Sequence, residues 1–170
     1  MLRRPILPGG AGGVPRGRAR AGDAPAAPRA GLRRYLCFTV AGIPMAMDLA
    51  GVQEVVEVPP ILRIPRPAGP AEGLAVVRGR VLLVVDLRKR LGLVNPVTDE
   101  RTRLIVTAGQ PRPWAFLVDA ATEILALEAA APEAGAAPGA GLRADLFAGS
   151  LGVGGDRIFV PDFAKVLAGC

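Results

Sequence analysis

A succession of short apolar segments, with no long amphipathic helix between them, constrains this chain more than any other feature. Segments 34–40, 43–49, 52–58, 73–77, 80–87, 102–107, 114–119, 122–127, 146–153 and 157–160 each read as a strand bounded by Gly, Pro or Asp. Ala41-Gly42, Arg78-Gly79 and Gly154-Gly155-Asp156 read as hairpin turns. Pro59-Pro60 ends one strand, residues 61–65 are short and extended, and Pro65, Pro67, Gly69 and Pro70 form a rigid connection. Only two one-turn helices are predicted. One covers 87–91, with Asp86 as N-cap and Gly92 as its stop; the other covers 163–167, with Asp162 near its N-cap. Residues 129–141, rich in Ala, Gly and Pro, read as a linker. About ten short strands with so little helix point to a sandwich or small barrel and disfavour a doubly wound α/β sheet.

Composition then closes off most catalysis. With 170 residues the chain can bury one real core. It has no His and a single Ser, Ser150, so a Ser-His-Asp triad, a Cys-His dyad and a His-ligated metal are excluded within it. No Gly-Lys-Ser/Thr occurs, so there is no P-loop. Cys37 and Cys170 form neither a CxxC nor a disulfide framework, and Cys37 reads as a small core residue. The apolar runs are too short to span a membrane as helices. Pro5, Pro8 and a Gly-rich run follow Arg3-Arg4 where an export signal needs an apolar stretch, so a cytoplasmic location is expected.

The net charge of +6 is not spread evenly. Residues 1–34 hold eight Arg and one acid, Asp23, whereas the rest of the chain is nearly neutral. Residues 1–33 are therefore expected to be a disordered basic tail and 34–170 the folded domain. A basic tail allows a second reading, a tailed nucleic-acid-binding protein. The folded part does not support it, since its few aromatics are not spaced as a base-stacking platform.

Several polar positions invite a functional reading beside a structural one. Asp48, Asp86 and Asp119 each end an apolar strand; they either cap local turns or, together, hold a divalent cation for a metal-dependent enzyme. Capping is the simpler account, so no metal and no cofactor are expected. Arg88-Lys89-Arg90 reads as a solvated basic face. Glu54 interrupts the apolar run from Val52 to Val58, and Arg78 sits where two buried strands turn. Placed together, they would neutralise each other at the edge of a core, as a structural pair or as a partner-contact pair.

The ordered set of motifs resembles the CheW-like domain of bacterial chemosensory systems. It runs Tyr35-Leu-Cys-Phe-Thr-Val, Met47-Asp48-Leu49, Val52-Gln53-Glu54-Val55, Arg63-Ile64-Pro65, Gly73-Leu74, Val77-Arg78-Gly79 and Val84-Val85-Asp86-Leu87-Arg88. A looser second half follows: Thr102-Arg-Leu-Ile-Val, Phe116-Leu-Val-Asp119, Glu123-Ile124-Leu125 and Gly155-Asp156-Arg157. The chain departs from the family's habit in having Ala75-Val76-Val77 before Arg78 and Leu83 where a Pro is common. The resemblance implies an all-β fold of two five-stranded SH3-like barrels sharing a core, with a short C-terminal helix. It implies no enzymatic activity. It also implies an adaptor that couples the signalling tip of methyl-accepting chemoreceptors to the regulatory domain of a CheA-type histidine kinase. The site residues it implies are Val52, Gln53, Glu54, Val55 and Val56 on one strand, with Arg78 and Gly79 at a turn.

Overall fold

The structure is a computed structural model that describes residues 31–65, 71–93, 96–109, 114–128, 131–139 and 141–168. In chain order its strands are β1 (Leu32–Val40), β2 (Ile43–Asp48), β3 (Val52–Glu57), β4 (Ile61–Arg63), β5 (Ala71–Val77), β6 (Arg80–Asp86), β7 (Arg103–Thr107), β8 (Trp114–Val118), β9 (Ala120–Glu128), β10 (Phe147–Val153) and β11 (Asp156–Pro161). Helix α1 (Leu87–Arg90) follows β6 and α2 (Phe163–Leu167) follows β11. The predicted caps are in place: Asp86 accepts from the Arg88 N–H and Asp162 from the Lys165 N–H.

The strands form two sheets, ordered β10-β11-β2-β1-β9 and β3-β7-β8-β6-β5-β4. Every pairing is antiparallel except β11 with β2 and β6 with β8. The second sheet has six strands where five were expected, because residues 61–63 pair onto β5 as β4. Its two edges, β3 and β4, are consecutive in sequence. From Glu57 to Ile61 the chain can reach at most about 14 Å, whereas the edges of a flat six-stranded sheet lie about 24 Å apart. The second sheet is therefore strongly curled.

Both sheets bury residues on their two faces, which explains apolar runs without clean alternation, such as Trp114–Val118. A shared core takes Leu36, Phe38, Val40, Met45 and Met47 from the first sheet. Val85, Ile105, Phe116 and Val118 come from the second, and Leu146 and Val166 close it. Inside the second sheet lie Ala75, Val77, Leu82, Val84, Leu104, Val106, Ala115 and Leu117. Inside the first lie Tyr35, Cys37, Ala46, Leu151, Ile158 and Val160. Cys37 is thus a core residue; burial, then the charge of Glu123, pushes its thiol pKa up, which keeps it unreactive.

Two features differ from expectation. β1 starts at Leu32 rather than residue 34, because β9 extends to Glu128 and pairs with Leu32 and Arg33. The tail predicted for 1–33 otherwise lies outside the described residues, as do Pro67, Gly69 and Pro70 of the rigid connection. The 129–141 segment is not a free linker. Glu133 forms a two-way backbone bridge with Ser150, at 2.8 and 3.1 Å, and Pro138 is buried. Gly149 permits this approach, since a Cβ there would run into the Glu133 carbonyl. Gly149→Ala is expected to break the bridge and cost about 1–2 kcal/mol in a urea melt.

Candidate partner-contact site

The site begins with a two-residue hairpin turn. Val77 pairs with Arg80, so Arg78 and Gly79 alone connect β5 to β6. Both are left-handed, with φ of +49° and +76°. This is the combination that a right-twisted hairpin demands. Glycine accepts it freely; an arginine there carries a steric cost of order 1 kcal/mol. Asn or Gly would sit there more comfortably, so what the guanidinium touches decides whether the arginine is useful there.

That guanidinium meets Glu54. Arg78 Nε donates to Glu54 Oε2 at 2.6 Å, and nearby Arg80 Nη1 donates to Gln53 Oε1 at 3.0 Å. Successive residues of a regular strand point to opposite faces, so Gln53 and Glu54 should not both reach one hairpin. A β-bulge resolves this: β3 loses register with β7 between Val52 and Glu54, and the extra residue is Gln53. The bulge turns both side chains toward the β5–β6 tip. Arg78 is 75% exposed and Glu54 only 19%, so the acid lies behind the arginine. An ion pair this open contributes at most about 1 kcal/mol.

The structure thus brings Gln53, Glu54, Arg78 and Gly79 together. The neighbouring valines divide: Val52 packs on the shared core, Val56 on the second sheet's interior, and Val55 faces solvent. Sequence reasoning missed Arg80; the signal was a second arginine directly after the Arg78-Gly79 turn.

A second polar node ties the two sheets together and corrects the solvated-face reading of Arg88-Lys89-Arg90. Arg88 is 1% exposed. All five of its N–H donors are used: Nε and Nη2 on the two Asp86 oxygens at 2.9 Å, Nη2 also on Thr98 Oγ1 at 3.2 Å, and Nη1 on the Val97 carbonyl at 2.7 Å and Asp119 Oδ1 at 3.3 Å. Burial alone would lower its pKa, but Asp86 and then Asp119 outweigh that and raise it. Lys89 pairs with Glu72 at 2.7 Å, and Arg90 donates to the carbonyls of Lys165, Val166 and Ala168 at the end of α2. Lys89 stays at the surface, whereas Arg88 is spent inside the fold and Arg90 on the end of α2, because α1 is a single turn packed on β6 and β8.

The same node accounts for the strand-end acids. Asp48 caps a 3-10 turn through the Ala50 N–H, and Asp86 holds Arg88. Asp119 holds Arg88 with one oxygen and with the other accepts from the Ala41 N–H at 2.6 Å, which fixes the β1–β2 turn. A guanidinium already fills the position between Asp86 and Asp119, and no group of three metal-ligating side chains occurs among the described residues. No helix among them is long and apolar enough to cross a membrane.

What the fold and the site define is a two-sheet, β-rich domain whose prominent polar groups sit at a strand edge and a hairpin tip. The chain belongs to the CheW-like domain family, whose model matches residues 34–169. This is a family of scaffolds and adaptors of chemotaxis signal transduction, generally without enzymatic activity. Among solved structures the chain is similar to the scaffolding protein TtCheW from Thermoanaerobacter tengcongensis. The TM-score is 0.66 at 23% identity, covering 76% of this chain and 88% of that one. That likeness concerns the fold. No curated protein matches the chain.

Proposed function

We propose that this chain is a non-enzymatic, cytoplasmic adaptor that couples chemoreceptor signalling tips to the regulatory domain of a CheA-type histidine kinase. The reading rests on the family and, within the molecule, on one observation: Arg78 occupies a left-handed turn position while it covers Glu54 at the surface. We read each of the two sheets as an SH3-like barrel, so that partners of similar build stack barrel against barrel. Gln53, Glu54, Val55, Arg78 and Gly79 are assigned to the contact, and Val52 and Val56 anchor the strand beneath it.

Titration of the full chain against a kinase regulatory domain and a receptor-tip fragment tests the reading. Binding to at least one is expected; no binding to either at tens of micromolar would sink it. Apolar stacking should survive added salt, whereas a phosphate binder would weaken steeply.

Arg78→Asn separates a contact role from a structural one. Asn accepts the left-handed turn, so the melting temperature should hold or rise slightly. Kinase activation in a reconstituted assay should nevertheless fall several-fold, and Glu54→Ala should act alike. If either variant simply unfolds, the pair is structural.

A further inference from the structure

The interior of the second sheet opens into a cleft at the end away from the Arg78-Gly79 hairpin. Ile61 and Leu117 pack on that interior, and with Pro59 they line the cleft, which has a volume of 240 Å³. Strand alternation brings charge to the same place. Arg63 follows Ile61 on one face of β4, and on β6 Asp86 follows Val84, an interior residue. Glu72 would belong to the outer face of β5 by the same count, but it is the extra residue of a bulge. β5 loses register with β6 between Ala71 and Gly73. A bulge re-aims its side chain. The Glu72 carboxylate accordingly lies 2.7 Å from Lys89 Nζ and 3.9 Å from Arg63 Nε, and all three residues line the cleft.

The charged side chains of the cleft are not equally available. Asp86 and Arg88 are buried and paired with each other, and Asp119 takes a further Arg88 N–H. That leaves Lys89 and Arg63 around one carboxylate, and both approach the same oxygen, Glu72 Oε1. Among the described residues Lys89 uses one of its three N–H donors, on Glu72, and the Arg63 guanidinium uses none. Thr98 also lines the cleft; its hydroxyl accepts from Arg88, and its own proton has no acceptor among the described residues. The cleft thus sets donors in excess, with one acceptor between them, beside an aliphatic wall. A matching ligand carries an oxyanion at one end, where charge-assisted hydrogen bonds form, and an apolar chain at the other. The volume lies below the roughly 300–1,000 Å³ of drug-sized pockets, so that chain is short.

We propose that this cleft binds a small organic anion, a carboxylate on a short aliphatic chain. Lys89, Arg63 and the Thr98 hydroxyl hold the carboxylate, and the chain lies on Pro59, Ile61 and Leu117. Glu72 already sets a carboxylate between the two cations, so it is the internal competitor of the ligand. The proposal goes beyond the adaptor reading and does not depend on it.

The test is an amide chemical-shift titration of the full chain with butyrate, beside inorganic phosphate and butanol as companion probes. Butyrate is expected to shift the amides of residues 61–63, 72–73 and 88–89 saturably, phosphate to bind more weakly, and butanol to give no saturable shift. Lys89→Gln and Arg63→Gln should each weaken butyrate by about threefold, the scale of one exposed ion pair. Glu72→Gln should tighten it by about as much, since the competing carboxylate is gone. That opposite sign is what a merely structural role of the three residues would not produce. The substitutions touch only exposed ion pairs, and unchanged thermal melts confirm the fold. Absence of a saturable butyrate shift overturns the proposal, as does butyrate affinity that is the same in Lys89→Gln and Arg63→Gln. Phosphate binding as tightly as butyrate overturns the aliphatic part of the site and leaves a bare anion cluster. Weaker butyrate binding by Glu72→Gln overturns the role of Glu72 as competitor.

Discussion

Arg88→Ala is expected to destabilise the domain by about 3–5 kcal/mol, read as a shift in the urea midpoint, because removing one partner of a buried pair leaves the other charge uncompensated. The loss has three parts. The Asp86 carboxylate, buried beside the guanidinium, keeps only the Arg88 backbone N–H as donor. The Val97 carbonyl and Thr98 hydroxyl lose the donors that fasten the 96–98 loop to the fold. Asp119 is released from the second sheet while it still holds the β1–β2 turn of the first. Arg88→Lys should rescue little. An ammonium offers three donors from one point and cannot match both Asp86 oxygens, Thr98, Val97 and Asp119 at once. Asp119→Asn is the informative control. Its side-chain oxygen still accepts from Ala41, so the turn survives, and the loss should be a fraction of that for Arg88→Ala. Equal losses in the two variants would show that the node does not act through the buried Asp86 pair.

The node also marks where the sequence stops being legible. The strands were readable because turn dipeptides punctuate them: Ala41-Gly42, Arg78-Gly79 and Gly154-Gly155 all lie at two-residue turns with positive φ. Glu54 and Arg78 were readable as a pair because each breaks an apolar context, and they do meet. Arg88 was not readable. It sits in an Arg-Lys-Arg run, which by composition is a solvated face, and one of its partners is 31 residues away. Only tertiary packing reveals that α1 turns Arg88 inward, onto Asp86 and Asp119. Arg80, and its contact with Gln53, escaped for a related reason, since a bulge is a property of two strands and not of one. The 129–141 segment was read by its composition, and composition is silent about a glycine on another strand that lets it dock.

Gly73→Ala carries the second large effect, and it links fold to function. A Cβ at Gly73 would lie 2.5 Å from the Leu62 carbonyl oxygen and 2.7 Å from Ile61 Cγ2. Both neighbours belong to β4, a strand of three residues that has few pairings with which to absorb a displacement. Overpacking of this kind costs about 1–3 kcal/mol, and here the backbone oxygen cannot rotate aside as a side chain would. β4 should therefore swing away from β5. Its departure uncovers Ala75 and Leu82 inside the second sheet, since Ile61 packs on that interior. It also strips the neighbouring strand from the β5–β6 hairpin that presents Arg78 and Gly79. The expected result is a loss of about 2–3 kcal/mol in the urea melt, with faster amide exchange confined to residues 61–63 and 73–75. In conditions where the variant is still folded, partner affinity should fall together with the exchange protection of β4. Gly73→Ala that loses stability but keeps full affinity would mean that β4 is a structural clasp only, and that the contact surface ends at the β5–β6 hairpin.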